Sequence, residues 1–150
     1  RVNRMGDVTA DLLTKLGMKL DFVSAAWGSV GARRVNKTPP SEGGWNMFHT
    51  YHSGGECINP GPNTAVRANG EGAWFGWPNA PAVEAEVSNW FEARNLDEEK
   101  TIVARLNRAA FDNVVYAPTG FFLGYQAWRT NIAGIAKAPL PLFWGVTKTV

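Results

Sequence analysis

The chain has 150 residues, of which 45% are hydrophobic and 19% charged, which is enough for one domain with a core and excludes a disordered segment. The net charge of +2 is small, and the Lys and Arg are scattered, so neither nucleic acid nor an anionic membrane surface is an expected partner. One cysteine, Cys57, excludes an internal disulfide, and no stretch approaches the roughly 20 apolar residues of a membrane span.

The first predicted element is an amphipathic helix over residues 7–16. Its apolar residues recur at helical spacing, Asp7 is a suitable N-cap, and Gly17 is a suitable C-terminal stop. A strand is predicted next, because apolar and charged residues alternate through residues 18–22.

A second strand is predicted over residues 45–51, an unbroken run of large side chains. Between the two strands, residues 28–35 are expected to form a short helix, and the Pro and Gly of residues 36–44 a loop. Strand, helix and strand make a βαβ unit, which crosses over right-handedly and leaves its strands parallel. The loops that begin near Ala26 and His52 are therefore expected to be neighbours.

Residues 54–81 form an irregular segment rich in Gly, Pro and Asn, too long for a simple connector. Trp74 and Trp77 lie within it, and Trp45 precedes it. Aromatic rings on ordered loops bury much area at little entropic cost, so this segment is predicted to contribute to a binding surface.

Two helices are predicted next, one from residue 82 to about 94 and a second capped by Asp97, each with one apolar side. Residues 114–116 and 121–128 are predicted strands separated by a turn. The tail at residues 138–144 is apolar and has no matching partner in the chain, which predicts that the surface covering it lies elsewhere.

The loop after the second strand is the candidate ligand site. In an open α/β sheet ligands bind beyond the carboxyl ends of the strands, and there the chain places Ser53, Gly54 and the acid Glu56. Arg34 follows Trp27 by seven residues, about two helical turns, so both are predicted on one side of the short helix. A cation and an anion facing one cleft can hold both ends of a zwitterion. The alternatives are an ordinary surface turn and a solvated arginine.

Metal and thiol chemistry are weaker hypotheses. His49, His52 and Glu56 are zinc-ligand types, but their spacing suits a helix, and residues three apart on a strand point to opposite faces, so no metal or other cofactor is expected. Cys57 with either His would make a thiol- or metal-dependent hydrolase, although no orienting Asn or Asp is recognisable, and a buried unreactive thiol is the preferred interpretation. A stand-alone interaction module is the third possibility.

Several segments, in this order, resemble the carboxy-terminal part of the family 5 extracellular solute-binding proteins, the dipeptide and oligopeptide receptors of bacterial ABC importers. The resemblance covers nearly the whole chain. The matching segments are Ala10-Asp11-Leu12-Leu13-Thr14-Lys15-Leu16-Gly17-Met18, Ala26-Trp27, Arg33-Arg34, Gly44-Trp45-Asn46, Ser53-Gly54-Gly55-Glu56, Asn59-Pro60, Gly76-Trp77-Pro78, Tyr116-Ala117-Pro118-Thr119-Gly120, Asn131-Ile132-Ala133-Gly134 and Phe143-Trp144.

The resemblance implies an α/β fold, here part of the second lobe of a periplasmic-binding-protein-like (type II) fold. Residues 1–119 would belong to the ligand-binding lobe, and residues 120–150 would return toward a first lobe outside this chain. It also implies a periplasmic or extracellular receptor, monomeric at full length and not an enzyme, that closes on a solute and delivers it to a membrane permease.

The expected ligand is a peptide, with opines, sugars and cationic metabolites left open because Glu56 stands where the family usually has Asp. Glu56 would pair with the ligand's amino group, while Trp27 and Arg34 would line the pocket. The full set of predicted ligand-binding residues is Trp27, Arg34, Tyr51, His52, Ser53, Gly54 and Glu56.

Overall fold

The computed structural model describes residues 2–138 and 141–149. Its helices are α1 (Val2–Lys15), α2 (Trp27–Arg33), α3 (Pro81–Phe91) and α4 (Leu96–Asp112). Three single-turn 3-10 helices lie at Pro40–Glu42, Thr64–Val66 and Gly70–Gly72. Within the described residues, no helix combines the length and the apolar character needed to cross a membrane.

Helix α1 is confirmed at its C-terminal end and corrected at its start. Gly17 has a φ of +85°, and its N–H donates to the carbonyl of Thr14, which closes the helix with the left-handed residue that glycine tolerates best. The helix begins five residues before Asp7, which is an interior residue and not the N-cap. Partly buried Val2 and Met5 extend the apolar side of the helix upstream, and so does the buried Gly6.

Helix α2 confirms the short helix predicted between the two strand segments, displaced by one or two residues. Arg33, at its end, donates from Nε to the carbonyl of Gly43 at 3.0 Å and from Nη2 to that of Gly44 at 2.7 Å. The loop therefore closes back on the helix. Gly44 is required there, because a Cβ would lie 1.7 Å from the carbonyl oxygen of Thr38.

The predicted strands are wrong as paired elements. In the described part of the chain the sheet consists of two short antiparallel strands, β1 (Ile132–Ala133) and β2 (Thr147–Lys148). Residues 18–22, 45–51, 114–116 and 121–128 form no ladder, so the βαβ unit is not built. Parallel strands need neighbours that pair their edges and cover both faces, and those partners are not found among the described residues.

Two of those unpaired segments nevertheless lie side by side. A Cβ added at Gly6 of α1 would be 3.3 Å from the ring of Phe22 and 3.8 Å from the ring of His49. The helix therefore packs across both segments, which is how a helix covers adjacent strands.

Helices α3 and α4 confirm the predicted helix pair and form most of the core. Val83 and Val87 on α3, four residues apart, are buried against Leu106 and Ala110 on α4. The salt bridge between Arg105 and Glu86 joins the helices at 2.9 Å. The N-cap of α4 is Asn95 and not Asp97, since the Asn95 Oδ1 accepts the backbone N–H groups of the next turn.

The segment that leads into α3 is attached to the same core. Val66, Ala68 and Ala80 are buried in it. Arg67 makes a two-pronged salt bridge to Glu84, which also accepts the backbone N–H of Ala68 at 2.7 Å. The predicted irregular segment is thus confirmed as an ordered loop.

After α4, the described residues 113–138 and 141–149 contain little regular structure and are mostly exposed. Val114, predicted to start a strand, instead has a φ of +50° and closes α4, with the Val115 N–H donating to Ala110. Phe143 is 76% exposed and Trp144 84% exposed, so these two rings of the predicted apolar tail are uncovered. Pro139 and Leu140 of that tail lie outside the described residues. The described chain is mostly helical with few strands, which is compatible with a fragment of an α/β binding protein, while the type II architecture and the boundary at residue 119 stay predictions.

Candidate functional site

Arg34, directly after α2, is surrounded by aromatic rings. Its guanidinium carbon lies 4.1 Å from the ring centre of Phe75, 5.3 Å from that of Trp27 and 5.7 Å from that of Trp74. Cation–π contacts of this kind hold a planar guanidinium in one orientation. The Arg34 Nε is buried without a hydrogen-bond partner, so one donor of the guanidinium is unsatisfied among the described residues. The predicted proximity of Trp27 and Arg34 is confirmed.

These rings belong to a larger group, the aromatic cluster, made of Trp27, Trp45, Phe48, Trp74, Phe75 and Trp77. Trp45 donates its indole N–H to the carbonyl of Arg34 at 3.2 Å, which fixes the cluster to the end of α2. Lys37 stacks on Trp77 at 4.4 Å and pairs with Glu71. The aromatic segment of the irregular loop therefore packs around the Arg34 guanidinium and helps to hold it in place.

The Glu56 loop is a tight turn closed on itself. One carboxylate oxygen of Glu56, Oε2, accepts the backbone N–H of Ser53 at 2.9 Å and lies 3.6 Å from Nδ1 of His52. The Ser53 hydroxyl in return accepts the backbone N–H of Glu56. These contacts, the Ser53 backbone N–H first, lower the pKa of the Glu56 carboxyl below its ordinary value. The carboxylate is therefore oriented and charged at neutral pH.

The two charged ends of the proposed site are connected through two side chains and not directly. His52 packs edge-on against Trp74 with ring centres 5.0 Å apart, and Trp74 also contacts Arg34. No ion pair joins Glu56 to Arg34 among the described residues. The Nε2 of His52 is buried and unpartnered, which leaves a second unsatisfied polar atom beside Trp74.

The remaining predicted residues lie around this loop. Tyr51 is exposed, with its ring centre 5.7 Å from that of Phe122. Gly54 faces open space, since a Cβ there would meet no atom within 4 Å. Its backbone is thus accessible from outside the turn.

Cys57 is exposed, so the prediction of a buried thiol is wrong. It lies within the turn at residues 54–57, all four of which are exposed. Desolvation, and then the neighbouring Glu56 charge, raises the pKa of the thiol, which disfavours the nucleophilic thiolate. Among the residues that the structure describes, no three His, Cys, Asp or Glu side chains are grouped to hold a metal ion.

Trp74 and Phe75 are the site residues that sequence reasoning did not assign. The composition of their segment predicts an aromatic loop suited to binding, yet nothing in the local pattern indicates that both rings contact Arg34. The contact joins residues about 40 positions apart and depends on the tertiary fold.

The Glu56 turn thus lies beside an aromatic cluster that holds Arg34, an arrangement that can bind a charged solute, and one known protein is similar to the chain. The chain is 30% identical over 141 residues to a probable peptide ABC transporter periplasmic-binding protein of Sinorhizobium fredii. The aligned part is 94% of this chain and 27% of the relative, so the chain spans about a quarter of that relative's length. The resemblance to this class is therefore confirmed. No family model matches the chain.

Proposed function

We propose that the chain forms part of the ligand-binding lobe of a periplasmic solute-binding protein that supplies peptides to an ABC permease. The Glu56 turn carries the proposal, because it presents an oriented, exposed carboxylate next to the aromatic cluster that holds Arg34. The S. fredii relative, a probable peptide-binding protein, points to the same ligand class.

In this proposal Glu56 is the counter-ion of the peptide's amino group. Its Oε2 is engaged by Ser53 and His52, which leaves Oε1 for a ligand cation. Ser53 and His52 therefore orient the acid, and the open backbone at Gly54 offers polar groups to the peptide. The Arg34 guanidinium, beside Trp27, would bind a carboxylate or carbonyl of the ligand, and the exposed ring of Tyr51 would add a further contact.

Binding would occur by closure of two lobes, with residues 1–119 in this lobe and residues 120–150 crossing toward the other. The exposed rings of Phe121, Phe143 and Trp144 support a covering surface outside this chain. A hinge closure brings ligand contacts from both lobes, and the closed receptor would then dock on the permease as a monomer.

A covalent reaction at Cys57 is disfavoured by the raised pKa of its thiol. The S. fredii relative is likewise named as a binding protein and not as an enzyme. We therefore propose a binding role and no catalysis.

A thermal-shift screen of the full-length protein tests the proposal. Peptides with a free amine are expected to raise the melting temperature. At a hundredfold excess over its dissociation constant, a ligand increases the free energy of unfolding by about 2.7 kcal/mol. Amino acids, opines and oligosaccharides are screened in parallel. A response to uncharged sugars alone would overturn the peptide assignment.

Two variants complete the test. Glu56→Gln removes the charge at nearly constant shape and is expected to abolish the response to free-amine peptides. Glu92→Gln, at an exposed acid just after α3, is the matched control and is expected to leave it unchanged. Hits that persist unaltered in Glu56→Gln would show that Glu56 is not the counter-ion.

A further inference from the structure

A cavity of about 500 Å³ lies on the side of the Glu56 loop toward α4. Its apolar wall includes Trp90, Val103 and Leu106, and its polar wall includes Asn59 and Asn107. Leu106 is only 2% exposed and belongs to the core of the α3–α4 pair, so this wall is continuous with the buried core. The volume is within the range of small-ligand sites, about 300–1,000 Å³.

The cavity is lined by residues that neighbour Glu56, the proposed counter-ion. His52, which lies 3.6 Å from the Glu56 carboxylate, is on its wall, and so is Cys57, the next residue along the chain. A cation held at Glu56 would therefore lie next to two residues of the cavity wall.

The chemistry of an amino terminus connects these two features. In a peptide the terminal amine and the first side chain are attached to the same carbon, so fixing the amine at Glu56 confines that side chain to within a few ångströms of it. The aromatic cluster beyond His52 is already filled by stacked rings and by Arg34, with ring and cation centres 4.1–5.7 Å apart. The cavity offers open volume near Glu56 without displacing those rings.

We propose that this cavity is the subsite for the first side chain of the ligand and that it selects peptides with a large apolar residue at the amino terminus. The inference rests on the proposed peptide-binding function. The side chain would pack on Trp90 and Val103, and the amides of Asn59 and Asn107 would be available to the adjoining peptide group.

The test compares Leu-Gly-Gly with Gly-Gly-Gly by calorimetry on the full-length protein. Both carry the same free amine, so the ratio of their affinities isolates the side chain. Burial of the leucine side chain is expected to make Leu-Gly-Gly bind at least about tenfold more tightly. Equal affinities would overturn the subsite and leave the peptide-binding function intact.

Two tryptophan substitutions on α4 locate the effect. Asn107→Trp introduces bulk on the cavity wall and is expected to remove the preference while Gly-Gly-Gly still binds. Ala104→Trp introduces the same bulk at an exposed α4 position outside the cavity wall and is expected to preserve the preference for Leu-Gly-Gly. A preference that survives Asn107→Trp would also overturn the subsite. Failure of both peptides to bind the unsubstituted protein would overturn the proposed function and the subsite together.

Cys57 provides a readout in the unsubstituted protein. Its exposed thiol is on the cavity wall, so an occupied cavity is expected to slow its alkylation by iodoacetamide, followed at that peptide by mass spectrometry. At equal saturation, Leu-Gly-Gly should protect Cys57 several-fold more than Gly-Gly-Gly. Equal rates with both peptides would contradict the proposal.

Discussion

At the scale of single residues, neighbours decide which charged side chains remain available. Arg33 and Arg34 are adjacent, yet Arg33 is bound to backbone carbonyls of the following loop, whereas Arg34 is held by aromatic rings with Nε unpartnered. Glu84 is fully engaged by Arg67 and Ala68, whereas Glu56 has one carboxylate oxygen engaged. Arg34 and Glu56 are therefore the charges suited to a ligand.

The pH dependence of peptide binding should follow Glu56. The Ser53 backbone N–H holds the pKa of this carboxyl below 4.5, so the charged form that binds an amine persists as pH falls to about that value. Affinity for a free-amine peptide is expected to be constant from pH 7 to about pH 5 and to decline once Glu56 is protonated. Calorimetry across this range measures it, and a loss of affinity centred well above pH 5 would contradict the role of Glu56.

Glu84→Gln is expected to destabilise the chain by roughly 1–2 kcal/mol at pH 7, because charge-assisted hydrogen bonds to Arg67 and Ala68 are lost from a partly buried site. Arg67, first among the causes, lowers the pKa of the Glu84 carboxyl. Its contribution is therefore present above the unfolded pKa and lost as pH falls through the lower folded value.

Urea unfolding of the unsubstituted protein and of Glu84→Gln, at pH 7 and near pH 3, checks this pH dependence. The difference between the two free energies of unfolding should shrink in acid. Glu99→Gln, on α4, serves as the control because no ion pair engages Glu99 among the described residues. A difference that grows in acid would contradict the linkage.

At the scale of elements, helices were predictable and strands were not. The periodicity of α3 and α4 and the glycine that ends α1 are encoded within a few residues, so the sequence identifies them. Residues 18–22 and 45–51 have strand-like composition, but a strand exists only when another strand pairs with it, and no such ladder forms in the described chain. The contacts of Arg34 with Trp74 and Phe75 are non-local in the same way.

The cap of α4 offers a test at this scale. Asn95 accepts the backbone N–H groups of Asp97 and Glu98, so Asn95→Ala is expected to cost about 1 kcal/mol of stability. Asn95→Asp keeps an acceptor oxygen and adds a charge favourable at a helix start, so it should be nearly neutral. Urea unfolding of the three proteins measures the order. If Asn95→Ala left the free energy of unfolding unchanged, Asn95 would not be the N-cap of α4.

At the scale of the whole molecule, the apolar surface is distributed unevenly. The buried core is centred on the α3–α4 pair, while large side chains such as Phe121, Tyr125, Phe143 and Trp144 are 76–93% exposed. Surface of this kind is usually covered by a partner or by another part of the same protein. The similarity to about a quarter of the S. fredii relative is consistent with such a covering.

The 150-residue chain expressed alone is therefore expected to bind a hydrophobic dye and to associate with itself. Phe121→Ser combined with Trp144→Ser should reduce both effects, since each removes a ring that is more than four-fifths exposed. Dye fluorescence and light scattering measure them. A chain that stays monomeric and binds no dye would contradict the assignment of these segments to an interface.

A crystal structure of the full-length protein with a bound tripeptide tests the central claim most directly. The expected result is the amino nitrogen within about 3 Å of the Glu56 carboxylate, in a cleft that Arg34 and Trp27 also face. A peptide bound elsewhere, with Glu56 and Arg34 turned away from it, would contradict the claim.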